Sequence, residues 1–152
     1  MTLKFQQIVP AIAVGATLAL LGACAGEAIP VAPAPLGIPF STSDLVTGTG
    51  AEATAGKTLT VNYTAWLYDP AAADHKGKLF DTSVGKTPFV FLLGATPPRV
   101  IAGWEQGVPG MKVGGIRRLI LPPDLAYGSA GVAGTIPGNA TIIFEVELLN
   151  VQ

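Results

Sequence analysis

The chain has 152 residues, enough for one domain with a tail and for a core that stands on its own. Nine basic and ten acidic side chains leave a net charge of -1 and a pI near 5.7, which excludes the basic face that nucleic acid requires. One His and one Cys exclude a structural zinc site and any disulfide within the chain.

Met1 to Gln7 carries one Lys and precedes an apolar run from Ile8 to Ala23. The run is short for a membrane span and ends in small residues, and no polar face recurs along it. An export signal over 1–23 therefore fits better than a buried amphipathic helix. Leu21-Gly22-Ala23-Cys24 resembles the lipobox of bacterial lipoproteins, in which the cysteine is lipidated and becomes the mature N-terminus. The expectation is a protein anchored by lipid on the periplasmic side of the bacterial cell envelope. Ala23-Cys24-Ala25 also fits an ordinary A-x-A cleavage, which would release a soluble periplasmic or secreted protein. Residues 24–39 are rich in Ala and Pro, have no helical or strand period, and read as an extended tether.

The folded unit is expected over 40–152. Asp44 to Thr49 suggests a short edge strand closed by Gly48 and Gly50. Thr58 to Tyr68 sets Leu59, Val61, Tyr63, Ala65 and Leu67 against mainly Thr and Asn, the period of a half-buried strand. Asp69 to Gly77 reads as a long hairpin tip, and Lys78 to Thr82 as the returning strand. Thr87 to Leu93 alternates again, with Phe89 and Phe91 on one face and Val90 and Leu92 on the other. Pro97-Pro98 forbids helix before Arg99. Ile101, Trp104 and Val108 then predict a short helix over 101–108, ended by Pro109-Gly110. Gly115 to Leu121 is a strand stopped by Pro122-Pro123, and Leu125 to Gly138 an irregular loop carrying Tyr127. Thr141 to Val151 is the last strand, with Ile142, Phe144, Val146 and Leu148 facing one way and Glu145 and Glu147 the other. Five to six strands and one short helix make an α+β domain, an antiparallel sheet wrapped around the helix.

The aromatic residues are six Phe, three Tyr and two Trp. Phe5 leaves with the export signal, and Phe40, Trp66 and Tyr68 fall on edges or the opposite face. The others converge where the inward face of the sheet meets the helix and the Tyr127 loop. Singly, each suits a core. Together they are bulky for so small an interface, and two Tyr hydroxyls among them need partners, so an aromatic-lined cleft is the sharper reading. His75 lies in D-H-K-G at the hairpin tip, where a solvated loop is the simpler reading. It has neither a second His nor a credible Ser partner, so a hydrolase triad has no support.

The run M-K-V-G-G-I-R-R-L-I-L-P-P-D-L-A-Y-G has V-I-A-G-W-E-Q-G before it and I-P-G-N-A-T-I-I-F-E-V-E-L-L after it. Together these resemble the FKBP-type peptidyl-prolyl cis-trans isomerases. V-N-Y-T, K-L-F-D-T-S and P-F-V-F-L-L-G extend the likeness in the family's order over 44–151. The resemblance implies an enzyme that acts on X-Pro bonds of polypeptides without cofactor or metal, and a pocket that also takes macrolides such as tacrolimus. It implies Trp104 as the floor under the prolyl ring and Tyr63, Phe80, Phe89 and Phe144 as walls. Val100 and Ile101 match the segment whose Ile N–H donates to a substrate carbonyl. The Tyr127 hydroxyl matches a second donor, Ile136 an apolar flap, and Asp81 the carboxylate near the reacting carbonyl; Phe91 reads as supporting core.

Asp81, in F-D-T-S, also suits a turn residue bonded to nearby backbone. Only Lys86 stands where the family often places an arginine to pair with that acid. The tip 69–77 and the A-T-P-P-R loop 95–99 are longer than the family's, Ala65 stands where glycine is common, and Val132 replaces a frequent histidine. All are expected at the rim, where they would retune partner choice. The alternative from the same fold is a chaperone-like holder of Pro-containing or unfolded segments with little turnover.

Overall fold

A computed structural model describes residues 37–152. The export signal, the lipobox cysteine and nearly all of the tether lie outside the described residues. Among these residues six strands form one antiparallel sheet: β1 (Ser41–Val46), β2 (Thr58–Tyr68), β3 (Lys76–Thr82), β4 (Phe89–Leu92), β5 (Ile116–Leu121) and β6 (Ile142–Val151). Their order is β1-β5-β6-β2-β3, with β4 also on β2. Among the described residues one α-helix, α1 (Ala102–Gly107), packs on the concave face.

The long strand β2 is the spine. Along one side it pairs with β6, from Leu59 opposite Val151 to Leu67 opposite Ile142. Its other side is shared. Thr58 to Val61 pair with β4, and Thr64 to Tyr68 pair with β3. Between them, at Asn62 and Tyr63, the ladder is interrupted. There Ser83 takes over: its Oγ accepts the Tyr63 N–H at 2.9 Å, and its own N–H donates to the Tyr63 carbonyl at 3.0 Å.

The inward residues of β2 and β6 are those the alternation selected: Leu59, Val61, Ala65, Ile142, Phe144, Val146 and Leu148 are all buried. They meet Trp104 and Val108 of the helical segment and Leu119 and Leu121 of β5 in one core. The helix comes close because two glycines one turn apart face the sheet. A Cβ at Gly103 would lie 2.5 Å from Leu121 Cδ2, and one at Gly107 2.7 Å from Leu119 Cδ2.

Three expectations are corrected. The edge strand is Ser41–Val46, three residues earlier than the glycines suggested. All its residues are exposed, so it has no apolar period to read. Gly48 marks a close backbone crossing instead, since a Cβ there would lie 2.1 Å from the Lys112 carbonyl oxygen. The strand is held by Arg117, whose guanidinium forks onto Asp44 and donates to the Gly107 and Pro109 carbonyls at 2.9 and 3.0 Å. The second correction concerns the hairpin tip. It contains one 3-10 turn, Ala73–His75, and folds onto the convex face rather than the rim of a cleft, with Asp74 beside Arg118 and Lys76 on Glu145. The third concerns the 125–138 loop, which is ordered by its own backbone. Pro123–Leu125 is a 3-10 turn, and Val132 and Ile136 exchange hydrogen bonds of 2.8 and 2.9 Å.

Candidate active site

Trp104 is the hub of the concave face. Four rings meet its indole edge-on: Phe144 at 5.3 Å, Tyr63 at 5.5 Å, Phe91 at 5.6 Å and Phe89 at 6.1 Å between centroids. Edge-to-face contacts suit the ring quadrupoles but stop the rings from interdigitating. A cavity of about 400 Å³ is left above them. That is within the usual range for a small-ligand pocket, about 300–1,000 Å³.

The fold brings most of the expected residues to this cavity. Tyr63, Phe89, Trp104 and Phe144 line it, as do Asp81, Val100, Ile101 and Tyr127. Phe80 and Ile136 do not. Phe80 packs edge-on against Phe144 at 6.2 Å, behind the wall, and Ile136 is buried in the core. Phe91 is buried, as a supporting residue should be. Two lining residues were not among the expected ones, Pro98 and Arg99. Both belong to the lengthened loop 95–99. Its length and its Pro-Pro-Arg run were the available signal, but loops carry no period that shows which way they fold.

Local irregularity aims the polar groups. In β3, Asp81 pairs with Ala65 but Leu79 pairs with Trp66, so Phe80 is the extra residue of a β-bulge. A bulge re-aims consecutive side chains, and here both Phe80 and Asp81 serve the concave side. Asp81 Oδ2 accepts the Tyr63 hydroxyl at 2.6 Å, and Oδ1 accepts the Thr82 N–H at 2.8 Å. The carboxylate thus keeps a local turn bond and also faces the cavity. Its partner is a phenol; among the described residues neither Lys86 nor any other cation pairs with it. Burial, and then the hydrogen bond to Asp81 and its charge, push the Tyr63 phenol up to about 12. Burial and the Asp81 charge also push the Tyr127 phenol up. Both remain protonated donors across the physiological range.

Two donors face the cavity without a partner. Ile101 caps α1, where its carbonyl accepts the Trp104 N–H at 2.9 Å; its own N–H reaches no acceptor among the described residues. The Tyr127 hydroxyl likewise has none there. Backbone donors near a helix start are unpaired by construction. A cavity with an indole floor, ring walls and two open donors suits a ligand with a flat apolar ring and neighbouring carbonyls. Among the described residues its lining contains no nucleophile paired with a base.

Comparison with known proteins agrees with that class. Residues 50–149 match the family model described as FKBP-type peptidyl-prolyl cis-trans isomerase. An FK506-binding protein of Neisseria meningitidis serogroup A is 46% identical over 109 residues, covering 71% of this chain and 92% of that protein. FK506-binding protein 2B of Rhizopus delemar is 48% identical over 99 residues, 64% of this chain, but the match spans only 44% of the fungal protein. Among solved structures, AtFKBP13 aligns with a TM-score of 0.63 at 32% identity, covering 74% of this chain and 93% of its own. FkpA from Escherichia coli aligns with a TM-score of 0.62 at 40% identity, over 74% of this chain and 48% of its own. The chain belongs to the FKBP-type peptidyl-prolyl cis-trans isomerases.

Proposed function

We propose that this isomerase accelerates X-Pro isomerisation in exported proteins by desolvating the bond and favouring its twisted form. The observation that carries the mechanism is the open cavity above Trp104. Rotation about a peptide bond crosses a barrier of ~18–20 kcal/mol, because amide resonance is lost at the top. The twisted amide is less polar than the planar one, so dry aromatic walls favour it relative to water. Lowering the barrier by ~4 kcal/mol gives about a thousandfold in rate.

In this reading the prolyl ring lies on Trp104, between Tyr63, Phe89 and Phe144. The Ile101 N–H and the Tyr127 hydroxyl hold flanking carbonyls. Asp81, fixed by Tyr63, supplies the field at the reacting carbonyl. Phe80 supports the Phe144 wall from behind, and Ile136 ties the Tyr127 loop to the core rather than covering the cavity. The same cavity is proposed to take macrolides of the tacrolimus type, in keeping with the names of the relatives.

The test is prolyl isomerisation of a short peptide by wild type, Phe144→Tyr and Asp81→Leu, with circular dichroism to check folding. Both variants are expected to stay folded and lose turnover at least tenfold. Equal rates in all three would overturn the mechanism and favour a holder that binds without turnover.

Export and anchoring belong to the same proposal and rest on sequence: the apolar run 8–23 and Cys24 within L-G-A-C. Each buried methylene of an acyl chain contributes about 0.8 kcal/mol, so several chains would hold the domain firmly at a membrane. Intact-mass analysis of the mature protein decides it. A diacylglyceryl mass on Cys24 supports the anchor, and an unmodified N-terminus beyond it rejects the anchor.

A further inference from the structure

We propose that Arg99 gives this isomerase a preference for peptides with an acidic side chain next to the proline; the inference rests on the isomerase reading of the same cavity. Two charged residues line the cavity among the described residues, Asp81 and Arg99. They are not equivalent. Asp81 is engaged on both oxygens, by the Tyr63 hydroxyl and the Thr82 N–H. Arg99 is exposed and has no hydrogen bond or salt bridge among the described residues.

The other cations do not compete for this place. Lys76 and Arg118 are drawn to Glu145 on the convex face, and Arg117 to Asp44 at the sheet edge. None of the remaining lysines lines the cavity.

The root of Arg99 is fixed while its head is free. At the start of its loop, the Gly94 N–H donates to Glu105 Oε2 of α1 at 2.9 Å. Pro97 and Pro98 fix their own φ angles immediately before Arg99, and Val100 after it is half-buried. The guanidinium therefore stays within a Debye length, about 8 Å at physiological salt, of any peptide seated in the cavity. Low-dielectric ring walls focus its field toward the mouth. A carboxylate beside the proline meets an unspent, planar, bidentate partner there; a lysine meets repulsion.

Exposed ion pairs are weak, so the expected preference for Glu over Lys is modest, about 3- to 10-fold at low ionic strength. The experiment uses proline peptides with Glu, Gln or Lys on either side of the proline. It reads kcat/KM by isomerisation and affinity by fluorescence titration, at low and high salt. The proteins are wild type, Arg99→Gln, Arg99→Glu and Lys112→Glu, the last an equal charge change outside the cavity. Wild type should prefer Glu, and the preference should shrink with salt. Arg99→Gln should erase it and Arg99→Glu reverse it, while Lys112→Glu keeps the wild-type ratio. An unchanged ratio in Arg99→Glu, or an equal shift in Lys112→Glu, overturns the assignment. A ratio seen in affinity without turnover leaves the Arg99 assignment standing and removes the isomerase reading instead.

Discussion

The two faces of this sheet treat the same kind of residue in opposite ways. On the concave face Trp104 is surrounded by rings that meet it edge-on, and space remains above it. On the convex face Trp66 is partly covered. Lys76 Nζ sits 4.5 Å above its ring, and the same ammonium reaches Glu145 at 2.8 Å. Arg118 joins Glu145 at 2.8 Å, and Tyr68 stacks on His75 at 5.0 Å. Beneath them Ile143, between Trp66 and Ile120 in register, is fully buried. Flexible cationic stems can fold down onto a ring and seal it. Rigid rings cannot, and the cavity is what their rigidity leaves.

The strongest way to break this comparison is to delete each indole. Trp104→Ala should lose about 3–5 kcal/mol of stability, the usual range for a large aromatic removed from a core. It should also lose turnover. Trp66→Ala, on a half-buried convex site, should lose less, on the order of 1–2 kcal/mol, and keep the wild-type rate. Urea denaturation and an isomerisation assay on both variants measure this. A loss of turnover in Trp66→Ala would mean the faces are not independent.

A smaller effect sharpens the convex side. Burial alone would push the Glu145 carboxyl up, but the bonds and charges of Lys76 and Arg118 outweigh it and hold the carboxyl below its ordinary value of 4.5. A depressed carboxyl stabilises the fold above the unfolded value, and this contribution is lost as pH falls through the folded one. Stability should therefore drop below about pH 4.5. In Glu145→Gln part of that drop should vanish, at a cost of about 1 kcal/mol near neutral pH. Thermal melts from pH 3 to 7 follow both.

The smallest effect lies on the concave side. With the Tyr63 phenol raised to about 12 from 10.0, the unfolded chain loses its proton first. The stabilisation is complete below pH 10 and is lost as pH rises through 12. Asp81→Asn removes the accepting charge, so tyrosinate absorbance should begin at lower pH in that variant. An unchanged titration would mean that burial acts alone.

What could be read in the sequence divides along physical lines. β2 has the predicted bounds, and β6 begins one residue late, because a half-buried strand writes its period into its residues. β1, exposed throughout, writes none. The aromatic cleft was legible because too many rings shared one face. The Tyr63–Asp81 bond was not, because it depends on a bulge at Phe80 that register alone determines. Ile143 was hidden for another reason: alternation assigned its face to solvent, and the covering side chains come from a hairpin tip whose fold-back onto that face no period records.

The interrupted ladder at Asn62 and Tyr63 has one more consequence. Asp81 of β3 and Phe89 of β4 both line the cavity, and where these strands part Ser83 holds the spine through its hydroxyl and its own N–H. The residues between Ser83 and Phe89 join these two strands, and no strand pairing dictates the length of that connection. Because lengthening a surface loop costs little, evolution or design can change this connection beside the cavity walls without rebuilding the frame.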